Sequence, residues 1–214
     1  MFRSIQNTKI GNTLIFLAEK IPHLSLSKSL KLLYILDETT VRKTGIPFTW
    51  LEHKVWKYGP VATSIYQEIK HGVKEMVNGE IIALDDFVKV RKEQTTKRGN
   101  SEEIYIQPVA AFNDGVFSDF ELKILNGVVE KYGKYTATEL VNKFREENTL
   151  WHKMVIKNEL EKAFEAFKNT SSYIIPLYEL NSGDFYKEMA LKAAYEALYF
   201  QLKLKESELN YLEQ

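Results

Sequence analysis

The stretch that most constrains the fold runs from Ser27 to Lys70, SKSLKLLYILDETTVRKTGIPFTWLEHKVWKYGPVATSIYQEIK. It reads as helix, bend, extended segment, tight turn and helix. From Lys28 to about Val41, the residues Leu30, Leu32, Leu33, Tyr34, Ile35, Leu36 and Val41 cover more than one helical stripe. That pattern predicts a central helix buried on most of its sides. Gly45 can end it in the left-handed conformation, and Pro47 forbids continuation. Between Phe48 and Tyr58 the rings of Trp50, Trp56 and Tyr58 join Leu51 and Val55, a concentration that predicts a core. Gly59 and Pro60 predict a turn with Pro60 opening the next helix, where its missing N–H goes unnoticed. Val61, Ile65, Tyr66 and Ile69 supply that helix's stripe, and Gly72 ends it.

The flanking sequence is mostly helical in pattern. Ile10, Leu14, Ile15, Leu17 and Ala18 predict a helix over residues 10–20, followed by Pro22. Residues 73–85 are ambiguous, with Asn78-Gly79 as a turn signal. Period-two alternation over Phe87 to Arg91 and Ile104 to Pro108 predicts a two-stranded ribbon. Ser118 with Glu121 and Thr136 with Glu139 are capping boxes, each flanked by a hydrophobic staple pair, Phe117 with Leu122 and Tyr135 with Leu140. After the first box, Phe120, Ile124, Leu125, Val128 and Tyr132 form one apolar face, closed by Gly133. A further helix is expected from about Trp151 through Phe167, with Val155, Leu160, Ala163 and Phe167 inward. Ser172 to Leu180, interrupted by Pro176, reads as a connector or edge strand.

Asp184 is placed to cap a long last helix. There Leu191, Tyr195, Leu198, Leu202, Lys205, Leu209 and Leu212 alternate at spacings of four and three, the seam of a helix that packs along another helix. Three readings follow: it packs on its own domain or a second copy of the chain, it presents Tyr195, Leu198, Leu202, Lys205 and Leu209 to a different partner, or it is a frayed, solvated tail.

Composition narrows the chemistry. With 44% hydrophobic and 13% aromatic residues the chain can bury a substantial core. Its 29 basic and 29 acidic residues cancel, which disfavours chain-wide attraction to nucleic acid or to anionic lipid. Cysteine is absent, so disulfides and thiolate chemistry are excluded. No signal-peptide pattern or membrane-length apolar run occurs, and a cytoplasmic protein is the expectation.

No constellation for catalysis stands out. The glycines never form a phosphate loop, and His23, His53, His71 and His152 lack metal-ligand spacing, so no cofactor or metal is expected. Asp37, Glu38 and Glu52 could pair as carboxylates, but no nucleophile accompanies them. Asp37 stands out because its helix is apolar; if buried it needs a partner such as Lys54 or Tyr66. The ribbon carries Lys89, Arg91, Lys92, Lys97 and Arg98, a candidate phosphate grip that Glu93, Glu102 and Glu103 dilute. Two alternatives to protein binding follow: a DNA-binding or regulatory module that uses this hairpin, and an enzyme with Asp37 or Glu52 and a buried His in a deep pocket.

The succession LKLLYILDE and KVWKYGPVATSIYQEI resembles the Panacea domain family of SocA-like antitoxins, found beside toxin and phage genes. The residues that carry it are Lys31, Leu32, Leu33, Tyr34, Gly45, Pro47, Trp56, Gly59, Pro60, Val61 and Tyr66. Residues 117–151 look like the family's later helix pair, ending at Trp151. The His that usually precedes that Trp is missing: Phe144, Arg145 and Glu146 stand in its vicinity. The similarity extends from about Ile10 to Met154. It implies a non-catalytic antitoxin that binds a co-encoded toxin, with a protease as a second partner in the members that hand the toxin over for degradation. The expected architecture is mostly α with a small two-stranded antiparallel ribbon, an antitoxin domain over residues 1–170, and a connector with an amphipathic helix over 171–214.

Overall fold

The computed structural model describes residues 5–77, 80–81, 83–95 and 101–212. Helix α1 (Ile5–Lys20) leads into α2 (Leu26–Thr44), which is the axis of the molecule. Thirteen of the 19 residues of α2 are buried, as its broad apolar surface requires. Ser25 caps its start by accepting the Lys28 backbone N–H. Gly45 ends it at φ 85°, returning its N–H to the Val41 carbonyl.

The bend after α2 leads into a hairpin of β1 (His53–Trp56) and β2 (Gly59–Ala62), followed by α3 (Thr63–His71). The expected helix start at Pro60 is corrected here. Pro60 lies in β2 opposite Val55, and Gly59 at φ 100° turns the chain into the return strand. The turn chemistry closes a hairpin, so the helix begins three residues later. Gly72 does end α3, at φ 68°.

Two further antiparallel pairs follow, β3 (Met76–Val77) with β4 (Glu80–Ile81), and β5 (Val88–Thr95) with β6 (Ser101–Pro108). The last is the ribbon expected from the alternation. Asn78 and Gly79 lie outside the described residues.

The second half of the chain holds α4 (Asp119–Tyr132), α5 (Ala137–Phe144), α6 (Leu150–Lys157) and α7 (Leu160–Glu165). Both capping boxes form, with Ser118 and Thr136 as the caps. Two expectations fail. Phe120 stands 41% exposed, because at the second helical position it precedes the stripe of Ile124, Leu125 and Val128. The expected helix from Trp151 to Phe167 is broken between α6 and α7, where Glu159 adopts φ 50°; Phe167, at φ 65°, is 89% exposed and not inward. Gly133 follows α4 in right-handed geometry.

Residues 173–175 run antiparallel to β1, joined to it by a bridge between Ile174 and Lys54. The Val55 N–H donates to the Tyr173 carbonyl, and the Ile175 N–H to that of His53. A short 3₁₀ turn (Leu177–Asn181) then packs on α2, where Asn181 donates to the Val41 carbonyl at 2.7 Å. Helix α8 (Phe185–Leu212) follows, with the Lys187 N–H bonded to Asp184. The molecule is mostly α with small β ribbons. Among the described residues no helix is long and apolar enough to cross a membrane.

Candidate functional site

An open cleft of about 960 Å³ lies beside the first turn of α2. Its wall brings together four of the signature residues, Lys31 from α2, Trp56 from β1, Val61 from β2 and Tyr66 from α3. The hairpin brings Trp56 edge-on to Tyr66 of α3, with ring centroids 4.9 Å apart. Tyr66 in turn takes the Lys70 ammonium, 2.6 Å from its hydroxyl. The main chain of Trp56 is fixed from behind, since Trp151 Nε1 donates to its carbonyl at 3.0 Å. Gly59 sits where a Cβ would come within 2.9 Å of the Phe144 ring and 3.5 Å of Lys31. Only glycine fits that turn at positive φ.

The other signature residues are elsewhere. Leu33 and Tyr34 are core residues of α2, Trp151 is buried in α6, and Gly45 with Pro47 shape the bend. Tyr34 packs edge-on against both His53 and Phe144.

The sequence reading overlooked Lys28. It is buried at the third position of α2, lines the cleft, and donates to the Gly133 carbonyl at 2.6 Å. Burial pushes its pKa down, opposed by the field of Glu139. The signal was present: Ser25-x-x-Lys28 places a cation where a capped helix usually carries an acid.

Asp37 finds neither Lys54 nor Tyr66. Its carboxylate accepts the backbone N–H and the hydroxyl of Thr49, both at 2.5 Å, and meets His53 Nε2 at 2.7 Å. This is the buried acid and histidine that the enzyme alternative calls for, but both side chains are at 0% exposure and neither lines the cleft. Glu52 points to solvent. The pair pins the bend to α2.

In the ribbon, Arg91 pairs with Glu93 at 3.0 Å and lies over the Tyr105 ring, while Lys92 pairs with Glu102 at 3.3 Å. Lys89 is exposed, and Lys97 and Arg98 lie outside the described residues. These pairings consume positive charge that a phosphate grip would need.

Helix α8 touches the body near its start. The Lys187 carbonyl would be 2.4 Å from a Cβ at Gly45, and Tyr195 packs edge-on against Trp50 at 4.8 Å. Leu198 is half-buried. The side chains of Leu202, Lys205 and Leu209 lie outside the described residues, although their backbone is helical. No group of His, Cys, Asp and Glu suited to a metal occurs among the described residues.

Residues 30–152, more than half of the chain, match the family model described as antitoxin SocA-like, Panacea domain. The chain belongs to that family. No curated protein and no solved structure matches it.

Proposed function

We propose that this protein is a non-catalytic antitoxin that silences a toxin in the cytoplasm by direct contact, with α8 as the contact surface. The observation that carries this reading is the exposure of Phe185, Tyr186, Tyr195, Tyr199 and Phe200 on one helix, each at least half in solvent. Such a run of rings is costly in water and typical of a surface that a partner covers. Family membership supports a toxin as that partner. The signature residues build the scaffold and cleft, and α8 lies beyond the matched segment.

The test is co-expression with the product of the neighbouring reading frame. Growth should be rescued, and the two chains should co-purify as a complex. Tyr199→Glu with Phe200→Glu should abolish both while leaving thermal stability unchanged, because these rings are exposed. Rescue undiminished in the double variant would reject α8 as the contact. Rescue with the toxin disappearing from cells, restored by inactivating a protease, would replace silencing by contact with delivery for degradation.

A further inference from the structure

We propose that a second copy of this chain covers the outward face of α8, the two helices pairing antiparallel and crossing midway between Ala193 and Ala197. The pairing is a property of the chain alone and does not rest on the toxin reading.

The helix has two apolar faces. Leu191, Tyr195 and Leu198 turn toward the body, with Leu191 and Leu198 half-buried and Tyr195 against Trp50. At about 100° per residue, Tyr186, Met189, Ala193, Ala197, Phe200 and Leu204 fall in one row on the opposite side. All six are exposed, Tyr186 at 84% and Phe200 at 65%. The row follows the helix for about 27 Å, a length of apolar surface that is costly to leave in water.

The order of sizes identifies the occupant. From start to end the row reads large, large, small, small, large, large, the same in both directions. That is the self-complementarity an isologous two-fold contact demands, where one residue meets a second and the second meets the first. Antiparallel pairing sets Tyr186 against the partner's Leu204, Met189 against the partner's Phe200 and Ala193 against the partner's Ala197. The alanines stand at the crossing, where small side chains let the helices approach closely, and the bulky groups close over both ends.

Charge selects the same register. Lys192 and Glu196 are exposed along one flank of the row. In an antiparallel pair each flank meets its own copy, so Lys192 faces the partner's Glu196 and Glu196 faces the partner's Lys192. A parallel pair would set that flank against Ala190 and Ala194, which carry no charge. Because the body lies across the helix from the row, the two bodies stand apart. An interface one helix pair wide is at the small end of specific contacts, so a micromolar dissociation constant is expected.

Sedimentation equilibrium of the full chain without toxin, from about 1 to 500 µM, should show monomers and dimers in exchange. Lys192→Glu and Glu196→Lys should each weaken pairing about fivefold or more by setting like charges together, and the two substitutions combined should restore it. Both positions are exposed, so the fold is unaffected. Oxidation reads the register: the chain has no cysteine, so Ala193→Cys and Ala197→Cys each introduce a lone thiol. Mixed together, these two variants should cross-link to each other faster than either does to itself. The proposal is overturned if the chain stays monomeric across the range, if the single charge variants pair like wild type, or if the combined variant pairs no better than the singles. Faster self-linking of each cysteine variant would also overturn it, replacing antiparallel pairing with parallel. None of these measurements involves a toxin, so rescue in co-expression stands or falls separately.

Discussion

His53 Nε2 lies 2.7 Å from Asp37 Oδ2, and neither side chain reaches solvent. Asp37 is on α2 and His53 opens β1, so this one contact joins the helical axis to the hairpin. Removing one partner of a buried polar pair costs more than the pair itself contributes, because the other is left without compensation. Asp37→Ala should therefore destabilise by about 3–5 kcal/mol in urea unfolding. A double-mutant cycle with His53→Ala should return a coupling of about 1 kcal/mol or more. Additive losses would mean that the two residues act separately.

Glu68 gives stability a pH dependence of known sign. It is buried on α3, where one carboxylate oxygen accepts the Leu84 N–H and the other has no hydrogen-bond partner. Burial raises its pKa from the ordinary 4.5 to about 7. A carboxyl whose folded pKa lies above its unfolded value contributes stability that is full below pH 4.5 and is lost as pH rises through about 7. Glu68→Gln should leave stability at pH 4 nearly unchanged and raise it at pH 8 by about 1–2 kcal/mol, a figure reduced for solvent screening. Equal urea midpoints for the two proteins at pH 8 would contradict this assignment.

Gly45 is held at φ 85°, and a Cβ there would lie 2.4 Å from the Lys187 carbonyl. Gly45→Ala should cost about 2–4 kcal/mol, combining the left-handed penalty with overpacking. It should also displace the start of α8, increasing amide hydrogen exchange at residues 186–195 relative to α2. A variant that loses stability without that change in exchange would show that backbone strain alone is responsible.

Trp151 Nε1 donates to the Trp56 carbonyl, fixing the hairpin against α6. Trp151→Phe keeps most of the packing and removes the donor, so it should cost about 1–3 kcal/mol, the penalty of an unsatisfied carbonyl. The Trp56 side of the cleft should loosen with it, measured as increased exchange at residues 55–58.

The elements legible in the sequence were those with a local signal. Seven closely spaced apolar residues identified α2 as central, and Ser118 with Glu121 and Thr136 with Glu139 fixed two helix starts. The hairpin at Gly59-Pro60 was misread because Pro at a helix start and Pro in a return strand look alike locally; pairing with Val55 decided between them. The break before α7 rests on Glu159 in a left-handed conformation that its residue type does not announce. At the site, Lys31, Trp56, Val61 and Tyr66 were singled out in the sequence, but their convergence on one cleft depends on how α2, the hairpin and α3 pack. Asp37 was recognised as needing a partner. Its identity was not legible, because Thr49 and His53 approach it only once the chain has turned at Gly45.

The backbone of Thr49 is tied to Asp37, and the next residue, Trp50, stands at φ 60° with its ring against Tyr195 of α8. The interior and the outermost helix are thus only a few covalent links apart. A change deep inside can therefore re-aim a distant surface without touching it.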